Sequence, residues 1–323
     1  MRRWFCPEGE INLKREVCME YSRREFVRSG AAGALGLAGR AVFAAPGEEG
    51  KGGKSEVFVG KGKAEKTIPA LLEKMGGMGR FVKKGARVVI KPNMSFTNPP
   101  EMATTTSPEA VRTVAELCLR AGARRIIVCD NTIREAAICR EKSGIEAGVK
   151  DLKGVVVYTP KRETQYEERT DEQARELSRV MLVKEALRAD ALIALPVAKS
   201  HSAGGGSLGI KGMMGLVKER GVMHAEMDLH RAIAELLYYV KPHLSIIDAG
   251  RALLDNGPAG PGTVKQLETY VAGVDPVAVD SFGVSLASWY GRRFEGTQVA
   301  HINYAGEMGF GNVESSKIAE VSI

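Results

Sequence analysis

The sequence predicts an α/β domain whose sheet is mostly parallel or mixed, with helices on both faces. Three observations predict it. Short apolar runs recur along the chain and read as strands buried on both sides, amphipathic helical patterns alternate with them, and most runs end in polar or glycine-bearing turns.

Taken in order, Arg87-Val88-Val89-Ile90 is a strand closed by Lys91-Pro92-Asn93. Pro108 opens a helix running to Ala121, with Val111, Val114, Ala115, Cys118 and Leu119 on one face, and Gly122 stops it. Ile126 to Cys129 is a strand followed by Asp130 and Asn131, and Val155 to Val157 is another. A helix over 184–189 leads into the strand Ala191 to Leu195. Helical patterns then cover 208–217 and 229–240. Leu244 to Asp248 and Thr269 to Ala272 are strands, and the last clear helix spans 276–289, with Asp275 placed to cap it.

In parallel sheets ligands gather beyond the carboxyl ends of the strands. Those ends deliver Lys91 and Asn93, Asp130 and Asn131, Lys199 and His201, and Asp248. Parallel strands would bring these groups to one rim, where lysines hold negative charge and His201 serves as a general acid/base titrating near neutral pH. Lys211 adds a third cation. Asp248 or Asp280 would orient the histidine or bind a metal, and Asp280 stands with Asn93 and Lys199 among the expected anion-binding positions. After His201, the Ala203 to Ser207 stretch has Gly205 and Gly206 before a helical pattern, so its backbone amides suit an anion. In His224-Ala225-Glu226-Met227-Asp228-Leu229-His230, a helix would put His224 and Asp228 on one face. With His201 they would offer nitrogen and oxygen ligands for a divalent metal.

Composition narrows the function classes. The 323 residues carry 26% charged and 44% hydrophobic side chains, an ordinary globular balance. Of the net charge of +7, residues 1–44 hold +3 and the rest only +4, with no basic stripe interleaved with aromatics, so nucleic acid is not an expected partner. The cysteines beyond the N-terminal segment, Cys118, Cys129 and Cys139, lack the spacing of an iron–sulfur cluster or structural zinc and read as buried free thiols.

Ser22-Arg23-Arg24-Glu25-Phe26-Val27 fits a twin-arginine export signature. A weakly apolar run from Gly30 to Ala45 and a small-residue cleavage site at Val42-Phe43-Ala44 follow in the right order. The expected organisation is an export segment over 1–44 (with a start at Met19 giving a typical leader length), a Gly/Glu/Lys-rich linker over 45–56, and one α/β domain over 57–323. The export partner would be the twin-arginine translocase and the destination the periplasm. The apolar run is too short for a permanent membrane span.

Several motifs occur together: Lys91-Pro92-Asn93, Thr104-Thr105-Thr106-Ser107-Pro108, Pro196 through Lys199-Ser200-His201, and Leu208 through Lys211-Gly212-Met213-Met214-Gly215. Asp248-Ala249-Gly250, Asn256-Gly257-Pro258 and Val274-Asp275-Pro276 through Asp280 follow. In this set the chain resembles the prokaryotic family called domain of unknown function 362, over roughly residues 57–311. The resemblance implies a fold and a set of site positions but no substrate. Two departures stand out. Ser200 replaces the family's threonine, and Gly212 replaces its asparagine. Some relatives carry a ferredoxin-like cysteine module, which this chain lacks. The reading that follows is an enzyme acting on a small anionic, carboxylate-bearing molecule, with or without a divalent metal. The alternative is a non-catalytic periplasmic protein that binds a cofactor, metal or redox partner.

Overall fold

The computed structural model describes residues 53–202 and 205–323. The expected export segment, Arg23 and Arg24 with it, and most of the expected linker lie outside the described residues. The first strand, β1 (Ser55–Lys61), begins just before the expected domain start.

A ten-stranded mixed sheet organises the chain. In chain order, α1 (Ala64–Lys74), β2 (Arg87–Pro92), α2 (Pro108–Arg120), β3 (Arg125–Cys129), α3 (Ala136–Ser143), α4 (Ile145–Val149) and β4 (Val155–Tyr158) come first. A separate two-stranded hairpin, β5 (Tyr166–Thr170) and β6 (Arg179–Val183), follows, then α5 (Lys184–Leu187), β7 (Ala191–Leu195), β8 (Val197–His201) and β9 (Gly205–Ser207). The last third holds α6 (Gly209–Gly212), α7 (Arg220–Glu226), α8 (Leu229–Glu235), α9 (Leu237–Val240), β10 (Leu244–Leu253), β11 (Val264–Gly273), α10 (Pro276–Ser285), α11 (Ala300–Glu307) and β12 (Ile318–Ser322).

Five strands run the same way, in the order β10-β7-β2-β3-β4. Beyond β10 the sheet continues through antiparallel β11 to β1 and β12. The mixed α/β class is therefore the observed one, and the parallel part is the part that positions the strand-end residues. Alternation along each strand divides the core in two. Val89, Ile127, Leu192 and Ile247 face one side, against Ile210, Ala232, Val277 and Ile302 of α6, α8, α10 and α11. Val88, Ile90, Ile126 and Ile246 face the other, against Ile68, Leu71, Val111 and Val114 of α1 and α2. Cys118, Cys129 and Cys139 are buried and free.

Caps form where the residue types demand them. Ser107 accepts from Ala110 N at 3.3 Å with Pro108 in the first turn of α2, and Asp275 accepts from Val277 N at 2.9 Å and Ala278 N at 3.0 Å at the start of α10.

Three elements depart from the sequence reading. The expected helix over 208–217 is only the single turn α6, followed by a 3-10 turn, Met213–Leu216. Three glycines in seven residues cannot sustain a long helix, and the backbone at Gly215 lies flush on side chains described below. The expected helix over 276–289 stops at Ser285, where Trp289 Nε1 donates to Val284 O at 2.8 Å. The glycine-rich stretch after His201 is no helix-opening turn. Gly205 and Gly206 pair in the β8–β9 hairpin, opposite His201 and Ser200, with Gly205 against the Phe294 ring. Among the described residues no helix is long and apolar enough to cross a membrane.

Candidate active site

The rim at the ends of β2, β3 and β8 gathers positive charge. Lys91, last but one in β2, is 2% exposed, and its ammonium lies 3.1 Å from Asp130 Oδ1, one residue beyond β3. The other oxygen of Asp130 accepts from Met94 N at 2.8 Å and Ser95 Oγ at 2.9 Å. This pair is roofed by Gly215. A Cβ on that residue would run into Asp130 Oδ1 and the Lys91 side chain, with Lys91 Nζ only 2.7 Å away. Glycine is therefore fixed there by close approach rather than by conformation.

Two more lysines stand near this pair without a carboxylate of their own. Lys199, in β8, is 3% exposed. Its ammonium donates to Thr104 O at 2.8 Å and sits 5.2 Å from the centre of the Phe96 ring. Lys211, in α6, is 8% exposed, and its nearest polar partner is the Met214 sulfur at 3.6 Å. Among the described residues neither forms an ion pair. Arg220, at the start of α7, adds a fourth cation and donates to Asn131 O.

The electrostatic consequence follows from burial. Desolvation pushes Lys199 down to about 7, against the partial support of Asp130 and with added repulsion from Lys91 and Lys211. Desolvation, then the Arg220 charge, pushes Lys211 to about 8. His201, at the end of β8, falls to about 3, because it is partly buried and faces Lys211 and Lys199. This corrects the sequence expectation of a histidine titrating near neutrality. In the ligand-free protein its imidazole is neutral, and the groups poised near pH 7 are lysines.

The remaining sequence candidates divide. Asn93 is spent on the fold. Its side-chain oxygen accepts from Val197 N at 2.9 Å, and its carbonyl takes Thr105 Oγ1 at 2.6 Å, while Thr106 Oγ1 donates to Leu195 O at 2.7 Å. The Thr104–Thr106 turn thus staples β2 to β7 and presents the Thr104 carbonyl to Lys199. Asp280 is a structural acceptor, not an anion site. It takes Gly209 N at 2.9 Å and Ile210 N at 2.8 Å, holding the first turn of α6, and burial raises its carboxyl to about 7.

Asp248 does not join the lysines. In β10 it alternates with Ile247 and Ala249, so it faces the other side of the sheet from Lys91. There it accepts from Ser107 N at 2.8 Å and Gly250 N at 3.1 Å, burial raises its pKa, and it lines a separate cleft of about 290 Å³ with Glu109 and Tyr270.

The metal reading also fails on geometry. Helix α7 ends at Glu226 and Met227 is extended, so His224 and Asp228 do not share a helix face. Asp228 instead caps α8, accepting from His230 N and Arg231 N at 3.1 and 3.2 Å. Among the described residues no three His, Cys, Asp or Glu side chains are grouped to hold a metal.

Sequence reasoning noted Asp130 at a strand end but left it out of the site, and missed Gly215, Arg220 and His301. His301 is fully buried and stacks on His230 with Nδ1 atoms 3.4 Å apart; burial first, then the Lys211 charge, lowers its pKa. Only contact across the fold reveals these roles. The glycine closing Lys211-Gly212-Met213-Met214-Gly215 was the one readable signal.

A family model described as domain of unknown function (DUF362) matches residues 88–285, which include Lys91, Asp130, Lys199, His201, Lys211 and Gly215. Among characterised sequences, the thylakoid-associated protein sll1697 of Synechocystis sp. (strain ATCC 27184 / PCC 6803 / Kazusa) is 32% identical over 221 residues, spanning 66% of this chain and 67% of that protein. Among solved structures, the lactate racemase apoprotein from Thermoanaerobacterium thermosaccharolyticum overlaps with a TM-score of 0.46 at 14% identity, over 73% of this chain and 57% of that one. That overlap is too partial to bear on function. The match across most of the parallel sheet and the lysine rim is the informative one, and by it the chain belongs to the family described as domain of unknown function DUF362.

Proposed function

We propose that the lysine rim binds a small carboxylate-bearing anion and that the protein is an enzyme acting on it. One observation carries the reading. Among the described residues, Lys199 and Lys211 are buried lysines without a carboxylate, beside a third lysine whose one carboxylate, Asp130, is already shared with Met94 N and Ser95. Buried charge is costly unless paired. A ligand carboxylate would pair with it, draw both amines back to their charged forms, and leave neutral His201 as a hydrogen-bond or proton partner at the rim. No metal is needed for that binding step.

The test is thermal unfolding of the mature chain at pH 7.5 with oxalate, lactate or pyruvate, against chloride at equal ionic strength. A carboxylate-specific rise in midpoint, absent in Lys199→Met, is expected. Equal midpoints in all four salts would overturn the reading.

Export by the twin-arginine route is proposed alongside it, supported by the order of signature, apolar run and cleavage site. Replacing Arg23 and Arg24 by lysine should hold the precursor in the cytoplasm. Unchanged periplasmic recovery of the double variant would refute it.

A further inference from the structure

The turn that carries Lys211 has an unusual neighbour. Gly212 is buried, and its backbone angles, φ −58° and ψ −29°, are ordinary helical values that any residue adopts. A Cβ built on it meets no atom within 4 Å beyond its chain neighbours and its own helical turn. Glycine is not required there by conformation or by crowding, and in a helical turn it costs roughly 0.5–1 kcal/mol against alanine. What it provides is room. An open space therefore lies against the peptide next to Lys211.

Lys211 is dressed differently from its neighbours. Lys91 is held by Asp130, and Lys199 by the Thr104 carbonyl. Lys211 has only a thioether, a weak acceptor that leaves the nitrogen lone pair available once the proton is gone. The Arg220 charge acts on it, and Lys199 lies near enough for the two lysines to repel. A desolvated lysine beside other cations is the arrangement that yields an amine nucleophile at neutral pH.

We propose that Lys211 is a covalent catalytic residue that forms an imine with a carbonyl-bearing carboxylate, seated in the space beside Gly212 with its carboxylate toward Lys199. The inference rests on the anion reading above and adds the class of substrate and the bond formed. The neutral amine adds to the carbonyl carbon. Its proton passes to the carbonyl oxygen, giving a carbinolamine, and loss of water gives the C=N bond. No oxidant or reductant is consumed. The proton moves from nitrogen to the departing hydroxyl through solvent, and His201, near enough to feel the Lys211 charge, stays neutral beside the turn. Asp280, by holding Gly209 N and Ile210 N, is a positioning residue for the turn that aims Lys211.

The experiment is reductive trapping. The mature chain is incubated with pyruvate or glyoxylate and cyanoborohydride at pH 7.5, then read by intact mass and peptide mapping. One reduced adduct per chain, mapped to residue 211 and suppressed by excess oxalate, is expected. Lys211→Arg keeps a positive charge but cannot form the imine, so it should lose the adduct. No adduct, an adduct at Lys199, or labelling spread over surface lysines overturns the inference. If oxalate still stabilises the parent in that case, the anion site stands without the imine. If it does not, the anion reading falls with it.

Discussion

Replacing Lys199 by methionine removes a charge that the fold must bury. The amine drops from 10.5 to about 7 on folding, chiefly through desolvation. A base whose pKa falls on folding weakens the native state, with the full deficit below pH 7 and relief as pH rises toward 10.5. At about 1.4 kcal/mol per pH unit, the deficit is roughly 5 kcal/mol at pH 6 and about 1.4 kcal/mol at pH 9.5. Methionine is close in length and apolar, but it forfeits the hydrogen bond to Thr104 O, worth about 1–2 kcal/mol. The Lys199→Met protein should therefore be more stable than the parent by about 3 kcal/mol at pH 6 and indistinguishable from it near pH 9.5. Urea unfolding of both proteins at the two pH values, in buffers free of small carboxylates, measures this directly. Because only the difference between parent and variant is read, titration of Asp280, which runs the opposite way, cancels. A parent more stable than the variant at pH 6, or a gap that does not change with pH, would refute the claim that Lys199 is an uncompensated buried cation.

Other expectations follow from the same geometry. Gly215→Ala drives a methyl into the Lys91–Asp130 pair and should cost about 1–3 kcal/mol in denaturant unfolding. Asp280→Ala strands two buried amides at the start of α6 and should cost about 1–3 kcal/mol, with a weaker oxalate-induced shift because the Lys211 turn loosens. Gly212→Ala should do the reverse to stability, raising it by about 0.5–1 kcal/mol, while shrinking the oxalate-induced shift and the trapped adduct by filling the space beside Lys211.

The fold was legible because its signals are local. Runs such as Val88 to Ile90, Ile126 to Val128 and Ala191 to Leu195 are apolar on both faces, so they mark buried parallel strands without any knowledge of their partners. The cap at Asp275 was equally plain. The edges of the sheet were not. β11 begins with the exposed Lys265 and Gln266, and only its buried second half carried a strand pattern.

For the site, strand direction brings Lys91 and Lys199 to one rim with Lys211 nearby, while strand parity decides which face a residue takes. Counting alternation from Ile247 would have sent Asp248 to the opposite face. The helical reading of His224 and Asp228 failed because an aspartate two residues before a histidine can equally cap a new helix, and here it does. The importance of Asp130 lies in being, among the described residues, the carboxylate paired with a buried lysine at the rim, which depends on burial that no sequence pattern states.

The most direct test of the central claim, that unpaired buried lysines await a carboxylate, counts protons. Oxalate is titrated calorimetrically into the protein at pH 8 in two buffers of different ionisation enthalpy. Lys199 at about 7 and Lys211 at about 8 are then largely or half deprotonated, so binding should take up about one proton or more per ligand. Binding with no net proton uptake, or no binding at all, would contradict it.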